Sequence, residues 1–381
     1  MGMVGGGPGA FIGDVHRKAA RMDGQIELVC GAFDIDPKKS KQMAEQLYLE
    51  PSRAYGTYKE MIAAELKLPA GERMDFVAVT TPNNWHYPIA KDCLKAGFDV
   101  MCEKPMTMTS KEAKDLAKLV KQKKAVFGLM HNYTGYPMAK LARDMVKNKE
   151  LGEIRKVVVQ YPQGWLATLL EKTGQMQASW RTDPKQSGAG CVGDIGTHAA
   201  NLAEFITGLK ITGICAELTT FLEGRRVDDD VNCLIKFENG AKGVLHASQV
   251  SIGEENNIAI WVYGTKKGLE WHQENPNYLY VKSMDGPEEV WKRGNGYVGA
   301  KSASAGRLTR LPSGHPEAFF EAFANNYINF AECVRAKLEG RKPDPLALDF
   351  PDVEDGVRGM LFIETMLAST KSKQKWTAMK K

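Results

Sequence analysis

A chain of 381 residues is too long for one ordinary hydrophobic core, so two domains are expected, and 43% hydrophobic with 25% charged residues marks a globular chain, not a disordered one. The net charge is only +5, with acids interleaved among the lysines and arginines, which leaves no basic stripe for nucleic acid. Seven scattered cysteines without a CxxC pair, no Cys/His cluster of zinc spacing, no apolar run near the ~20 residues of a bilayer span and no apolar leader argue for reduced thiols, no metal, no membrane partner and a cytoplasmic protein.

From Met1 to about Lys147, short apolar runs alternate with longer amphipathic segments, the pattern of βαβ units on a parallel sheet. Strands are expected at Met1 to Val4, Gln25 to Phe33, Asp75 to Val79, Asp99 to Cys102 and Ala125 to Met130. Helices are expected from Pro37 to Leu47, Tyr87 to Ala96, and Ser110 to Lys121 with Ser110 as the cap. After Gly152 the strands lengthen and alternate: Ile154 to Gln160, Val231 to Phe237, Gly243 to Val250, Ile258 to Tyr263 and Tyr278 to Lys282. The Asn239, Gly240 pair reads as a hairpin turn in which both residues accept positive φ. Asp228 to Asp230 reads as a solvated turn and Gly294 to Ser313 as a surface loop, with helices returning from Pro316 to Leu338 and Val353 to Ser369. The expected fold is an α/β doubly wound parallel sheet over residues 1–150, an α+β domain with a large, open-faced, mostly antiparallel sheet over 151–315, and helices over 316–381 that pack back on the first domain.

The opening strand runs into Val4, Gly5, Gly6, Gly7, Pro8, Gly9, Ala10, Phe11, Ile12, Gly13, in which Gly5, Gly7 and Ala10 fit the spacing GxGxxG/A. One glycine makes the tight turn, a second lets backbone approach a pyrophosphate, and the helix N-terminus faces the negative charge. The next strand ends at Asp34, about 20 residues on, where a Rossmann fold places its ribose-binding acid. That favours NAD over NADP. Asp34 also fits the start of a turn before Pro37, and Lys38 and Lys39 leave room for a 2′-phosphate.

Three more motifs end successive strands: Thr80, Thr81, Pro82, Asn83, Asn84, Trp85, His86; then Glu103, Lys104, Pro105; then His131, Asn132, Tyr133. Ligands of open parallel sheets bind at the carboxyl ends of strands, so all three point to the nicotinamide side. With Gly193, Asp194, Ile195, Gly196, Thr197, His198, they make nearly the whole chain resemble the glucose-fructose oxidoreductase and inositol dehydrogenase family, Gfo/Idh/MocA. The resemblance implies NAD binding by Gly5, Gly7, Pro8, Ala10, Phe11, Ile12, Asp34, Thr81, Pro82, Asn83, His86, Glu103, Lys104 and Asn132. It also implies that Lys104, Asp194 and His198 stand at the reacting carbon.

Oxidising an alcohol removes a hydroxyl proton as hydride leaves carbon, and histidine titrates closest to neutral pH. His198 is therefore the candidate base, with Asp194 four residues earlier on the same helical face to orient it, and Lys104 holds the reacting oxygen or is itself the acid. Tyr133, Trp165, Arg181 and His315, besides these three, are the candidate carbohydrate or glycoside contacts, and Trp180 fits a core as well as a pocket. Arg181 also fits a simple ion pair with Asp183, and His86 a structural role. The reading is a dehydrogenase of a sugar, inositol or glycoside, including oxidation at position three of a glucoside. A redox-neutral NAD-dependent glycosidase or lyase and a non-catalytic dinucleotide sensor are the alternatives. An open sheet face implies a homodimer or homotetramer.

Overall fold

Five short apolar runs of the N-terminal part form one parallel sheet. In the computed structural model, which describes residues 1–380, these are β1 (Gly2–Gly5), β2 (Cys30–Ala32), β3 (Phe76–Thr80), β4 (Asp99–Cys102) and β5 (Phe127–Leu129), in the order β2-β1-β3-β4-β5. Every position of β3 and β4 is buried, as expected of strands covered on both faces. The chain divides into two compact units: residues Met1–Met130 with Phe323–Val357, and residues His131–Ala322 with the stretch from Arg358 onward. The first unit is thus completed by a distant segment, whose Phe330 packs edge-on against Phe76 of β3 and lies 3.0 Å from the position a Cβ on Gly128 of β5 would take.

Helix boundaries follow local chemistry. The helix Ser110–Lys123 is capped by Thr109, not Ser110: the Thr109 side chain accepts from Glu112 N–H while Glu112 reaches back to the Thr109 N–H. The same reciprocal box, Thr57 with Glu60, opens the helix Tyr58–Glu65, which was not foreseen.

The second unit holds nine strands: β6 (Ile154–Pro162), β7 (Ile211–Thr219), β8 (Asp230–Phe237), β9 (Lys242–Ser248), β10 (Ala259–Gly264), β11 (Lys267–His272), β12 (Tyr278–Ser283), β13 (Glu289–Lys292) and β14 (Thr377–Ala378). They run β13-β12-β11-β10-β6-β9-β8-β7-β14, antiparallel except for the parallel pair β6 and β9. The hairpin between β8 and β9 turns at Gly240 alone, φ +90°; Asn239 keeps a negative φ, and its side-chain oxygen accepts from Ala241 N–H.

Two expectations fail here. Asp228 to Asp230 is not a solvated turn: Asp229 is fully buried, where it accepts from Phe221 and Leu222 N–H and pairs with Arg225, and Asp228 accepts from Gly190 and Val192 N–H. Backbone donors satisfy the half-buried Asp228 carboxylate, and backbone donors with a guanidinium allow that of Asp229 to be fully buried. Nor is Gly294 to Ser313 simply a loop. It carries two short helices, Gly296–Lys301 and Ala303–Arg307, which meet where a Cβ on Gly306 would lie 2.7 Å from the Gly299 Cα, so the glycines serve close packing.

One face of the large sheet is covered by the helix Thr197–Thr207. On the other, the strand registers align Val290, Tyr280, Glu270, Trp261, Val158, Val244, Leu234 and Cys215 in one row across eight strands, none of them buried. Among the described residues, no helix is long and apolar enough to cross a membrane.

Candidate active site

In the first unit the strand order reverses between β1 and β3, the switch point at which doubly wound sheets bind ligands. The glycine loop leaves β1 there. Gly5 and Gly6 have φ of +88° and +74°, and a Cβ on Gly5 would lie 2.8 Å from the Thr80 carbonyl carbon. Gly13 has the tightest demand, since its Cβ would sit 2.3 Å from the Gly6 Cα. The Gly6 and Gly13 contact therefore brings the loop against its helix, using two glycines outside the Gly5, Gly7, Ala10 spacing. Ala10 instead closes the turn, its N–H donating to Gly7 O at 3.0 Å, and precedes the helix Phe11–Arg21 without a side-chain cap. Uncapped first-turn N–H groups, with Pro8 and Phe11 exposed beside them and Ile12 half-buried, suit an anionic phosphate. The Asp34 carboxylate stands 3.1 Å from where a Cβ on Gly7 would lie, so a side chain there would crowd it, and its other oxygen accepts from Asp36 N–H.

After β3, the Thr81 hydroxyl and the Asn84 side-chain oxygen are buried without a hydrogen-bond partner within the chain, beside Pro82 and the buried Asn83. The glycine cradle, the uncapped helix and these orphaned groups together fit a dinucleotide. His86 bridges two strand-end loops: Nδ1 meets Pro105 O at 2.8 Å and Nε2 meets Thr81 O at 2.9 Å, while burial depresses its pKa. Glu103 turns inward. It accepts from His16 Nε2 at 2.8 Å and from Lys104 N–H at 3.0 Å, and His16 Nδ1 meets the Tyr327 hydroxyl at 2.6 Å. Burial, the largest single influence, would raise the Glu103 pKa, but the His16 hydrogen bond and the positive charge of His16, Lys104 and His86 together outweigh it and hold the carboxylate below its usual range. Glu103 thus anchors the half-buried Lys104.

In the second unit His198 opens the helix Thr197–Thr207 directly after a π-helical turn, Val192–Gly196, in which Thr197 N–H donates to Val192 O. Asp194 lies within that wide turn, so it is not on the ordinary i, i+4 face of an α-helix that the spacing suggested. Its carboxylate accepts from Gln249 Nε2 at 2.8 Å and stands 3.4 Å from Arg181 Nε. The Arg181 guanidinium lies 4.3 Å over Trp180 and 6.0 Å from the Trp165 ring; Asp183 pairs with Arg226, not with Arg181.

Around His198 stand three aromatic rings, His131 at 5.0 Å, Tyr133 at 4.8 Å and Tyr161 at 6.2 Å between centroids. The two phenols hydrogen-bond to each other, Tyr161 donates to Asn256 Oδ1, and Asn256 Nδ2 donates to Tyr133 and to Gln273. Gln163 joins through Asn256 and receives the Trp165 indole N–H. Burial raises the Tyr133 pKa to about 12 and lifts that of Tyr161 well above its ordinary value, so both remain phenols. Asn132 is buried beside Tyr133. His315 lies on an exposed turn whose carbonyl accepts from Arg293.

Sequence reading placed His131 in a motif on the nicotinamide side but gave it no role of its own, and did not assign Tyr161, Gln163, Gln249, Asn256 or Gln273 to the site. One signal was available: β6 and β9 pair in parallel with Pro162 opposite Ser248, so Gln163 and Gln249 follow at adjacent strand ends. Finding it requires knowing that pairing.

The NAD-binding Rossmann model described as "Oxidoreductase family" matches residues 1–131, and the GFO/IDH/MocA C-terminal domain model matches residues 139–270. The chain belongs to the GFO/IDH/MocA family and is an NAD-dependent oxidoreductase. It is 32% identical to the uncharacterised oxidoreductase YfiI of Bacillus subtilis over 99% of this chain and 96% of that protein. The crystal structure of an inositol dehydrogenase homologue from Azotobacter vinelandii, complexed with NADH and myo-inositol, is 34% identical with a TM-score of 0.90, covering 99% of this chain and 96% of that one. Levoglucosan dehydrogenase of Pseudarthrobacter phenanthrenivorans is 27% identical over 74% of this chain and 75% of its own.

Proposed function

We propose that the protein oxidises a secondary alcohol of a sugar, inositol or glycoside, including the 3-hydroxyl of a glucoside, and that the reaction is reversible. The observation that carries this reading is the placement of the His198 imidazole among the Tyr133, Tyr161 and Asn256 hydrogen-bonding groups, with Asp194 on the preceding turn. Amides, phenols and half-buried indoles are the groups that recognise a polyhydroxylated ring. NAD, held by the glycine loop and Asp34, would supply the hydride acceptor. His198 takes the hydroxyl proton, Lys104 stabilises the negative charge that develops on oxygen, and Asp194, already oriented by Gln249 and Arg181, accepts a neighbouring hydroxyl. The myo-inositol bound in the inositol dehydrogenase homologue and the levoglucosan for which the other relative is named are polyhydroxylated rings of this kind.

The test is a panel of inositols, hexoses, anhydrosugars and glycosides incubated with NAD while reduced nicotinamide is followed by absorbance. A rise with at least one of them is expected. Release of aglycone without net reduction would overturn the dehydrogenase reading in favour of a redox-neutral enzyme. The uncovered row on the large sheet, with Trp261, Val158, Val244 and Leu234 at its centre, supports self-association, and sedimentation is expected to give a dimer or tetramer instead of a 42.1 kDa monomer.

A further inference from the structure

His131 and His198 face each other through their Nδ1 atoms at 3.2 Å, the rings crossed at 86° and both side chains almost wholly buried. At that separation only one hydrogen fits between the nitrogens, since two N–H groups would collide and two bare nitrogens would oppose their lone pairs. The neutral pair therefore holds opposite tautomers. The donating ring has a bare Nε2, and the accepting ring carries its hydrogen on Nε2. The His131 backbone is pinned where it stands, its carbonyl accepting from the Thr134 hydroxyl at 2.9 Å and the Thr134 N–H at 3.3 Å.

Resting on the reading of His198 as the base, we propose that His131 is a positioning residue: it accepts the Nδ1 hydrogen of His198 and so keeps Nε2 of His198 bare for the substrate hydroxyl. In the oxidation step the alcohol O–H bond breaks and an N–H bond forms at His198 Nε2. The C–H electron pair leaves as hydride to NAD, and the carbonyl forms. His198 becomes an imidazolium whose Nδ1–H bond to the neutral His131 is now charge-assisted, about twice as strong as before. A carboxylate does this for histidine in acyl-transfer triads. Here an uncharged ring does it, so the resting pair buries no charge. With the hydrogen running the other way, His198 would carry N–H on both sides of any proton transfer and could not serve as base.

Full-length protein labelled with ¹⁵N-histidine tests the arrangement directly, because long-range proton–nitrogen correlations report which ring nitrogen carries hydrogen. The expected pattern is Nδ1–H on His198 and Nε2–H on His131, assigned with His131→Leu and His198→Ala. Removing the acceptor in His131→Leu is expected to lower kcat about 100-fold with NAD affinity unchanged, and His131→Asn, whose side-chain oxygen can take the same hydrogen, to recover about tenfold. Finding Nε2–H on His198, or equal kcat for the Leu and Asn variants, overturns the inference. If His198→Ala is inactive while His131→Leu keeps wild-type kcat, this inference fails alone; if His198→Ala keeps its turnover, the reading of His198 as base fails with it.

Discussion

Asp34 shows how much one residue announces about itself. Its distance from the glycine loop marked it as the ribose acid, and the fold sets its carboxylate beside Gly7, where a ligand's backbone contact and its sugar contact are neighbours. Replacing it with alanine removes a hydrogen bond to a charged group, about 1.5–3 kcal/mol, so NAD is expected to bind roughly 10- to 100-fold more weakly and the preference over NADP to shrink. Titrating both cofactors by fluorescence decides this; an unchanged preference would mean that another group reads the 2′ position. Lys104, Asp194 and His198 were equally easy to single out as candidates, because each sits in a compact motif with glycine or proline beside it. Tyr161, Asn256 and Gln273 were not. They lie 95 and 112 residues apart counted from Tyr161, and only the pairing of β6 with β10, then β10 with β11, brings them together.

Elements read from short-range chemistry proved the most predictable. The helix Val353–Ser369 and the strand Asp99–Cys102 have the expected bounds, since charge, caps and apolar runs mark their ends. Strands β7, β11 and β13 escaped notice. Gly213 coincides with a register shift in β7, and the four residues of β13 include only Val290 and Trp291 as apolar, too few to set a period of two. In the glycine loop, adding one methyl group at Gly13 puts a Cβ 2.3 Å from a backbone atom that cannot swing aside. Gly13→Ala is therefore expected to cost about 1–3 kcal/mol in thermal unfolding and to raise the KM for NAD while leaving the KM for the sugar almost unchanged. An unchanged melting temperature would show that the loop is not held by this contact.

For the whole molecule, buried carboxylates set the acid limit of stability. Burial alone would raise the pKa of Glu65, but its double contact with Arg53 holds it below the usual range, and Glu103 behaves likewise with His16. A depressed folded-state pKa gives stability that is present above the unfolded value, about 4.3, and is lost as pH falls through the folded value. Asp99, which burial shifts upward despite Lys337, acts in the opposite sense and offsets part of it. The melting temperature is expected to fall steeply below about pH 5, and Glu65→Gln to be less stable at neutral pH yet to lose less on acidification. Parallel curves for the two proteins would refute that assignment.

The chain passes between its two units after residues 130, 322 and 357, so neither unit is one continuous stretch of gene. A fragment ending at residue 131 retains every strand of the dinucleotide sheet but lacks Tyr327 and Phe330, which cover Phe76. Such a fragment, made alone, is expected to expose that surface and aggregate, and supplying a peptide of residues 323–357 in trans to restore its solubility. During synthesis the ribosome must therefore release nearly the entire polypeptide before the half made first can close.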